Sequence, residues 1–310
     1  MPRRETLLAL ALAATCVLAV WTAQYEAVRQ RALGEQVGAW PRLASRLTVV
    51  SMLSGPEEGA AAALDAALAQ HGARRVYLGK VVTVAYASAQ LPGLAPELAL
   101  SAEFPTLEAF AAFRTSLGRA APAFRVLAAH GYSQNDYIER VGLALLNLGG
   151  WVASFVLPGG FDLGARAEET TANPEARAKR DKLVAALASA QVRDDEPILM
   201  WNWIRDGSPE QAAADRAYSA QMISLLGRHG GGAMHFGSPV GRSASSALDG
   251  TYDSLAAMMY PGAAFFRTML FSRWMQINVQ GKQPGDTLAV MTVPLPRSGV
   301  VKAWKAYPAV

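Results

Sequence analysis

The chain has 310 residues and a mass of 32.9 kDa, room for two domains at roughly 100–200 residues each. Hydrophobic residues make up 51% and charged residues 17%, with a mean hydropathy of +0.13. This excludes an intrinsically disordered chain, and the charge scattered along most of the sequence excludes a polytopic transporter. The net charge is only +4 and no basic run is dense, which argues against a nucleic-acid partner. The most basic stretch, Arg177 to Lys182, reads as a solvated helix face. The single Cys16 excludes an intrachain disulfide and removes zinc-ribbon and iron–sulfur chemistry, so no metal site is expected.

An uncharged, Leu/Ala/Val-rich run extends from Thr6 to Tyr25, bounded by Glu5 and Glu26 and preceded by Arg3 and Arg4. A helix rises about 1.5 Å per residue, so this run matches the roughly 30 Å apolar thickness of a bilayer. Trp21 and Tyr25 suit the headgroup region. A cleaved signal peptide lacks a good small-residue cut site here, and a lipoprotein at Cys16 lacks a fitting approach sequence. The run therefore reads as an uncleaved single-pass anchor. Arg3 and Arg4 place the N-terminus in the cytoplasm and the globular part in a bacterial periplasm, with inner-membrane lipid as a partner through Thr6–Tyr25.

The remainder repeats itself. Leu68…His71-Gly72…Tyr77-Leu78-Gly79 matches Leu226…His229-Gly230…His235-Phe236-Gly237, and Phe104-Pro105…Phe110 matches Tyr260-Pro261…Phe266. The offsets are 158 and 156, read directly from those residue numbers. In chain order each copy predicts six elements. Strands are expected at residues 47–53 and 198–204, then helices at 57–70 and 209–228. Ser208-Pro209 is a helix-start signal and each His-Gly a stop. Second strands follow at 75–85 and 233–240, third strands at 98–104 and 252–260, and helices at 106–117 and 262–275. Last strands are expected at 151–157 and 287–293, from Phe155-Val-Leu-Pro158 against Val293-Pro-Leu-Pro296. This is β-α-β-β-α-β twice, an α+β class of tandem ferredoxin-like repeats. Each sheet leaves one apolar face bare, so the two are expected to pair within the chain as one α/β barrel.

The expected domains are an anchor and lead-in at 1–45, a first repeat at 46–158 with an insertion near 119–150, and a linker at 159–196. That linker carries a helix from Pro174. A second repeat at 197–296 and a tail at 297–310 complete the chain. A rival architecture treats the uncharged run from Val141 to Phe161 as a second membrane span, although Asn147, Gly149-Gly150 and Pro158 interrupt it.

The second copy resembles the dimeric α/β-barrel (ferredoxin-like) superfamily, in particular a small-domain branch without an assigned activity. The resemblance rests on the strand Ile198-Leu-Met-Trp-Asn202-Trp-Ile-Arg205, Tyr218 in the following helix, Gly230-Gly231-Gly232, and Tyr260-Pro261…Phe265-Phe266. The first copy departs from it, reading Val49-Val50-Ser51-Met52 where Asn202 would fall. The superfamily includes heme-degrading and quinol-forming monooxygenases, chlorite dismutases, dye-decolorising peroxidases and small isomerases. The fold alone therefore selects no function.

Candidate chemistry gathers in the second copy. His235 on a strand suits a general base or heme ligand if its face lines a cavity, and Asn202 could orient a ligand oxygen. With a neighbouring Trp they form a set like that of heme-degrading relatives, and Tyr218 is a further candidate for a ligand cavity in this copy. His71 and His229 read as helix-end residues and His130 as exposed in the insertion. No catalytic constellation emerges from spacing, so the leading expectation is a non-catalytic, membrane-anchored accessory protein, a subunit or partner of a membrane complex. The alternative is an enzyme or carrier for a small hydrophobic or heme-like ligand, monooxygenase-like. The residues themselves imply no cofactor; the resemblance admits heme.

Overall fold

The structure, a computed structural model, describes residues 45–156, 174–237, 252–279 and 285–295, with six positions between 12 and 23. The first unit comprises β1 (Ser45–Ser54), α1 (Ala60–Ala69), β2 (Arg74–Tyr86), β3 (Leu98–Phe104), α2 (Leu107–Ala120) and β4 (Arg125–Asn135). α3 (Asp136–Val156) and α4 (Pro174–Ser189) follow. The second unit comprises β5 (Ile198–Arg205), α5 (Pro209–Arg228), β6 (Gly232–Gly237), β7 (Ser254–Tyr260), α6 (Ala263–Phe271), α7 (Arg273–Asn278) and β8 (Asp286–Pro294).

Local chemistry sets the ends of these elements. Ser208 caps α5 in a reciprocal capping box with Gln211, and Thr106 caps α2 by accepting from the Ala109 amide. Gly72 and Gly230, after the predicted His-Gly stops, adopt left-handed φ of 63° and 82°.

The strands form one antiparallel sheet in the order β4-β1-β3-β2-β8-β5-β7-β6. Each unit carries the ferredoxin-like order, and the β2–β8 ladder joins them, running from Gly79↔Pro294 to Tyr86↔Ala289. The sheet curls until its end strands meet, where the Tyr132 hydroxyl of β4 lies 3.0 Å from His235 Nδ1 of β6. Alternation along each strand sorts side chains to two faces. The inner face draws one core from both units: Val50, Met52, Tyr77 and Tyr132 from the first, Trp201, Trp203, Leu255 and Val290 from the second. The outer faces carry separate cores under the helices, around Phe104, Phe110 and Phe113 in the first unit and Met200, Phe266 and Met269 in the second.

At the centre, Thr292 Oγ1 donates to the Leu199 carbonyl (3.1 Å). It accepts from Trp201 Nε1 (3.2 Å) and lies 2.7 Å from the Tyr77 hydroxyl, which is left as the donor. Gly79 makes this contact possible: a Cβ there would collide with the Tyr77 ring and hydroxyl.

Four expectations are corrected. The last strand of the first unit is β4, not residues 151–157, which belong to α3 or lie outside the described residues. β4 and β8 begin at residues 125 and 286, close to the offset of the other matched segments, so the Phe155–Pro158 likeness was fortuitous. β4 was hidden because His130, Gly131, Ser133 and Gln134 break its apolar pattern. The unbroken apolar run after it exceeds strand length. Second, the expected insertion near 119–150 holds this strand and the start of α3 rather than an appended loop. Third, His130 is buried rather than exposed. Fourth, the run from Val141 is no span: α3 buries Leu143, Ala144 and Asn147 against the protein. Among the described residues no helix is long and apolar enough to cross a membrane. Most of Thr6–Tyr25 lies outside the described residues, so the anchor rests on sequence alone.

Candidate functional site

A cavity of about 850 Å³ lies between the outer face of the second unit's sheet and helices α4 to α7. Its floor is the helix-facing set of two strands, Met200, Asn202 and Ile204 from β5 and Ala256 and Met258 from β7. Its walls add Met222, Phe266, Met269 and Leu270. Small side chains at Ala212, Ala220, Ala233 and Ala256 leave space that larger ones would occupy. The volume falls within the range of ligand sites, and the thioethers give the wall an adaptable, polarizable surface.

Polar groups punctuate the wall. Tyr218 on α5 and Tyr260 on β7 both face the cavity, and burial holds both phenols protonated well above their ordinary range. Asn202 Nδ2 donates to the Met200 carbonyl at 3.1 Å. Arg180 on α4 is the unexpected member. Its side chain is only 11% exposed, it pairs with Asp181 at 2.9 Å, and its guanidinium stacks 4.5 Å from the Phe271 ring centroid. Arg177 and Lys179 line the same side, Lys179 lying 5.2 Å over the Tyr86 ring. The stretch expected to be a solvated face therefore fronts the cavity. Its alternating Arg and Ala gave no periodic sign of this, because charged residues resting stems on apolar surface read as exposed.

The sheet divides the candidate set. Asn202 and Tyr218 come together in the cavity. His235 pairs in register with Ala257, an inner-face residue, and its ring stacks on Trp201 (centroids 5.7 Å, 26°) while Nδ1 bonds Tyr132. It meets the cavity only at its edge. The Asn, Trp and His combination is thus split across two faces of one sheet. The sequence could not reveal this, because a bulge between Ala233 and His235 shifts the alternation of β6. The inner face itself is filled by Trp201, Trp203, Tyr77 and Tyr132, all nearly inaccessible, with a void of about 10 Å³ beside His130.

The remaining histidines are structural in placement. His71 Nε2 lies 2.8 Å from the Ser116 hydroxyl, and His229 caps α5 beside Phe265. Among the described residues no cluster of three His, Cys, Asp or Glu could hold a metal ion.

No family model and no curated protein matches the sequence. Solved structures similar in shape include a mutant chlorite dismutase from Candidatus Nitrospira defluvii, at 9% identity and a TM-score of 0.43. That alignment covers 87% of this chain and 96% of the other. A DypB variant from Rhodococcus jostii in complex with heme aligns at 10% identity and a TM-score of 0.38, covering 84% and 95%.

The cavity has ample room for a heme, but its only imidazole is that of His235, engaged by Tyr132 and Trp201 on the sheet's other face. The lining does not fit a histidine-ligated heme.

Proposed function

We propose that the second unit binds an amphipathic small molecule, its apolar body on the methionine-rich floor and an acidic end toward Arg180. The observation that carries this reading is the cavity itself: an apolar, ligand-sized space with a nearly buried guanidinium in its wall. Opening such a space forgoes the packing that a closed helix-on-sheet layer would gain. A purely scaffolding accessory subunit has no use for it. The reading favours a carrier or an enzyme acting on a hydrophobic ligand over a non-catalytic membrane subunit.

The test is fluorescence titration of the full chain with cis-parinaric acid and with its methyl ester. The acid should bind with one site per chain. Met258→Trp, filling the floor, should abolish binding of both probes. Arg180→Gln should weaken the acid about tenfold and the ester little, as expected for one lost charge-assisted hydrogen bond. Equal weakening of both probes would remove the assigned role of Arg180. Undiminished binding in Met258→Trp would sink the site.

A further inference from the structure

α3 presents an unusual outer face. Residues 141–153 read Val-Gly-Leu-Ala-Leu-Leu-Asn-Leu-Gly-Gly-Trp-Val-Ala, without one charge, and Asn147 is their sole polar side chain. Asn147 is not on the outside. Its Nδ2 donates to the Leu143 and Ala233 carbonyls (2.8 and 3.0 Å), and its Oδ1 accepts from the Ala233 amide (3.0 Å). The helix is thereby fixed on β6. Gly150 faces Ile223, and Gly227 lies against the Trp151 backbone, so α3 and α5 pack closely. What remains outward is wholly apolar: Leu145, Leu146, Trp151 and Val152 are 36–47% exposed, with Gly142 and Gly149 between them. Surface helices of water-soluble domains ordinarily carry charge on that side.

Two of the exposed apolar residues also belong to the cavity. Leu146 and Phe236, 43% and 49% exposed, both line it, so its rim is continuous with the bare helix face. The cavity lining is mixed in charge, with Arg177, Lys179, Arg180 and Arg216 against Asp206, Asp215 and Asp253, so the apolar rim is what distinguishes this side. Exposed leucine and valine side chains with Trp151 among them match the zone where a bilayer's apolar interior meets its headgroups. The chain's own uncharged run from Thr6 to Tyr25 has the length to hold the domain against such a surface.

We propose that α3 lies in the plane of a lipid bilayer and that the cavity opens there, so that its ligand is an amphiphile drawn from the membrane. Burying Asn147 on the protein side lets α3 rest on the bilayer without crossing it. The docking surface stands on the exposed apolar face and the chain's own uncharged run; only the ligand's route rests on the cavity reading.

Cys16 is the only cysteine, which permits single-site labelling of the full chain in a Cys16→Ser background. Leu145→Cys, Val152→Cys and, as a control on exposed α1-side surface, Glu58→Cys would each carry an NBD fluorophore. The protein would be reconstituted in phosphatidylethanolamine–phosphatidylglycerol vesicles doped with nitroxide lipids. Quenching at 145 and 152 should exceed that at 58 by at least about threefold, as an immersed interfacial helix requires. A tethered domain whose α3 stayed in water would give equal, weak quenching at all three sites and overturn the proposal. Labels shielded from both nitroxide lipid and aqueous iodide would mean a second copy or another part of the chain covers the face, and would overturn it too. All three sites are exposed, so folding is not at risk. Parinaric acid binding without vesicles separates the two readings. Binding without quenching at α3 removes only the membrane surface, and quenching without binding removes only the cavity.

Discussion

His130 supplies a pH-dependent weakness. It sits on β4, 4% exposed, opposite Val50 on β1. Its surroundings are Val50, Met52, Leu91, Ala128, Trp203 and Leu288, with Tyr252 edge-on at 5.7 Å and no charged group among them. Neither ring nitrogen has a hydrogen-bond partner among the described residues. Burial disfavours the imidazolium and pulls the pKa down from 6.5 to about 4. Above pH 6.5 the ring is neutral both folded and unfolded, and its contribution to stability is intact. As pH falls from 6.5 towards 4, the unfolded chain takes up the proton while the folded protein does not, so stability is lost. The loss approaches about 1.4 kcal/mol per pH unit and reaches about 2–3 kcal/mol at pH 4.5. Carboxylates titrate over the same range, so the informative quantity is the difference from a non-titrating variant. His130→Leu should be as stable as the parent or slightly more so at pH 7.5. Its advantage in urea unfolding should widen by about 2–3 kcal/mol by pH 4.5. Parallel stability curves for the two proteins from pH 7.5 to 4.5 would refute the reasoning, because His130 would then titrate alike in both states.

Three further outcomes follow from buried polar groups. Thr292→Val removes the acceptor of two buried donors and should cost about 2–4 kcal/mol in urea unfolding; Tyr77→Phe, removing one donor, should cost about 1 kcal/mol. Asn147→Leu leaves the Ala233 amide and carbonyl without their side-chain partners and should cost about 2–4 kcal/mol. Hydrogen exchange should speed up at Ala233 before it does in β5. Hemin titrated into the protein should give the same absorption spectrum with His235→Ala as with the parent; a Soret shift dependent on His235 would show that the imidazole reaches the cavity.

The sequence carries the fold where pattern and chemistry coincide and loses it where they part. The strand Ile198–Arg205 and the helix Pro209–Arg228 are both plain in it: the first is apolar on both faces because both are buried, and the second opens with its capping signal. The doubled β-α-β-β-α-β unit follows, because the shared His-Gly stops fix the spacing between copies. The fourth strand of the first unit was illegible for a physical reason. Its inward positions are filled by Ala128, His130 and Tyr132, whose small and polar side chains do not read as a buried face. The site was half legible. Asn202 and Tyr218 meet in the cavity as their elements suggested, but His235 reaches only its edge. One bulged residue in β6 sends its ring to the other side of the sheet. Arg180 was invisible because its role depends on where α4 lies in space, which the linker composition does not encode. The same limit explains α3. An uninterrupted apolar run reads as a span or a buried strand, and only the three hydrogen bonds of Asn147 decide which side of the helix faces the protein. Once that side is fixed, the bare opposite side becomes the feature in most need of a partner, and through Leu146 it adjoins the cavity of the second unit.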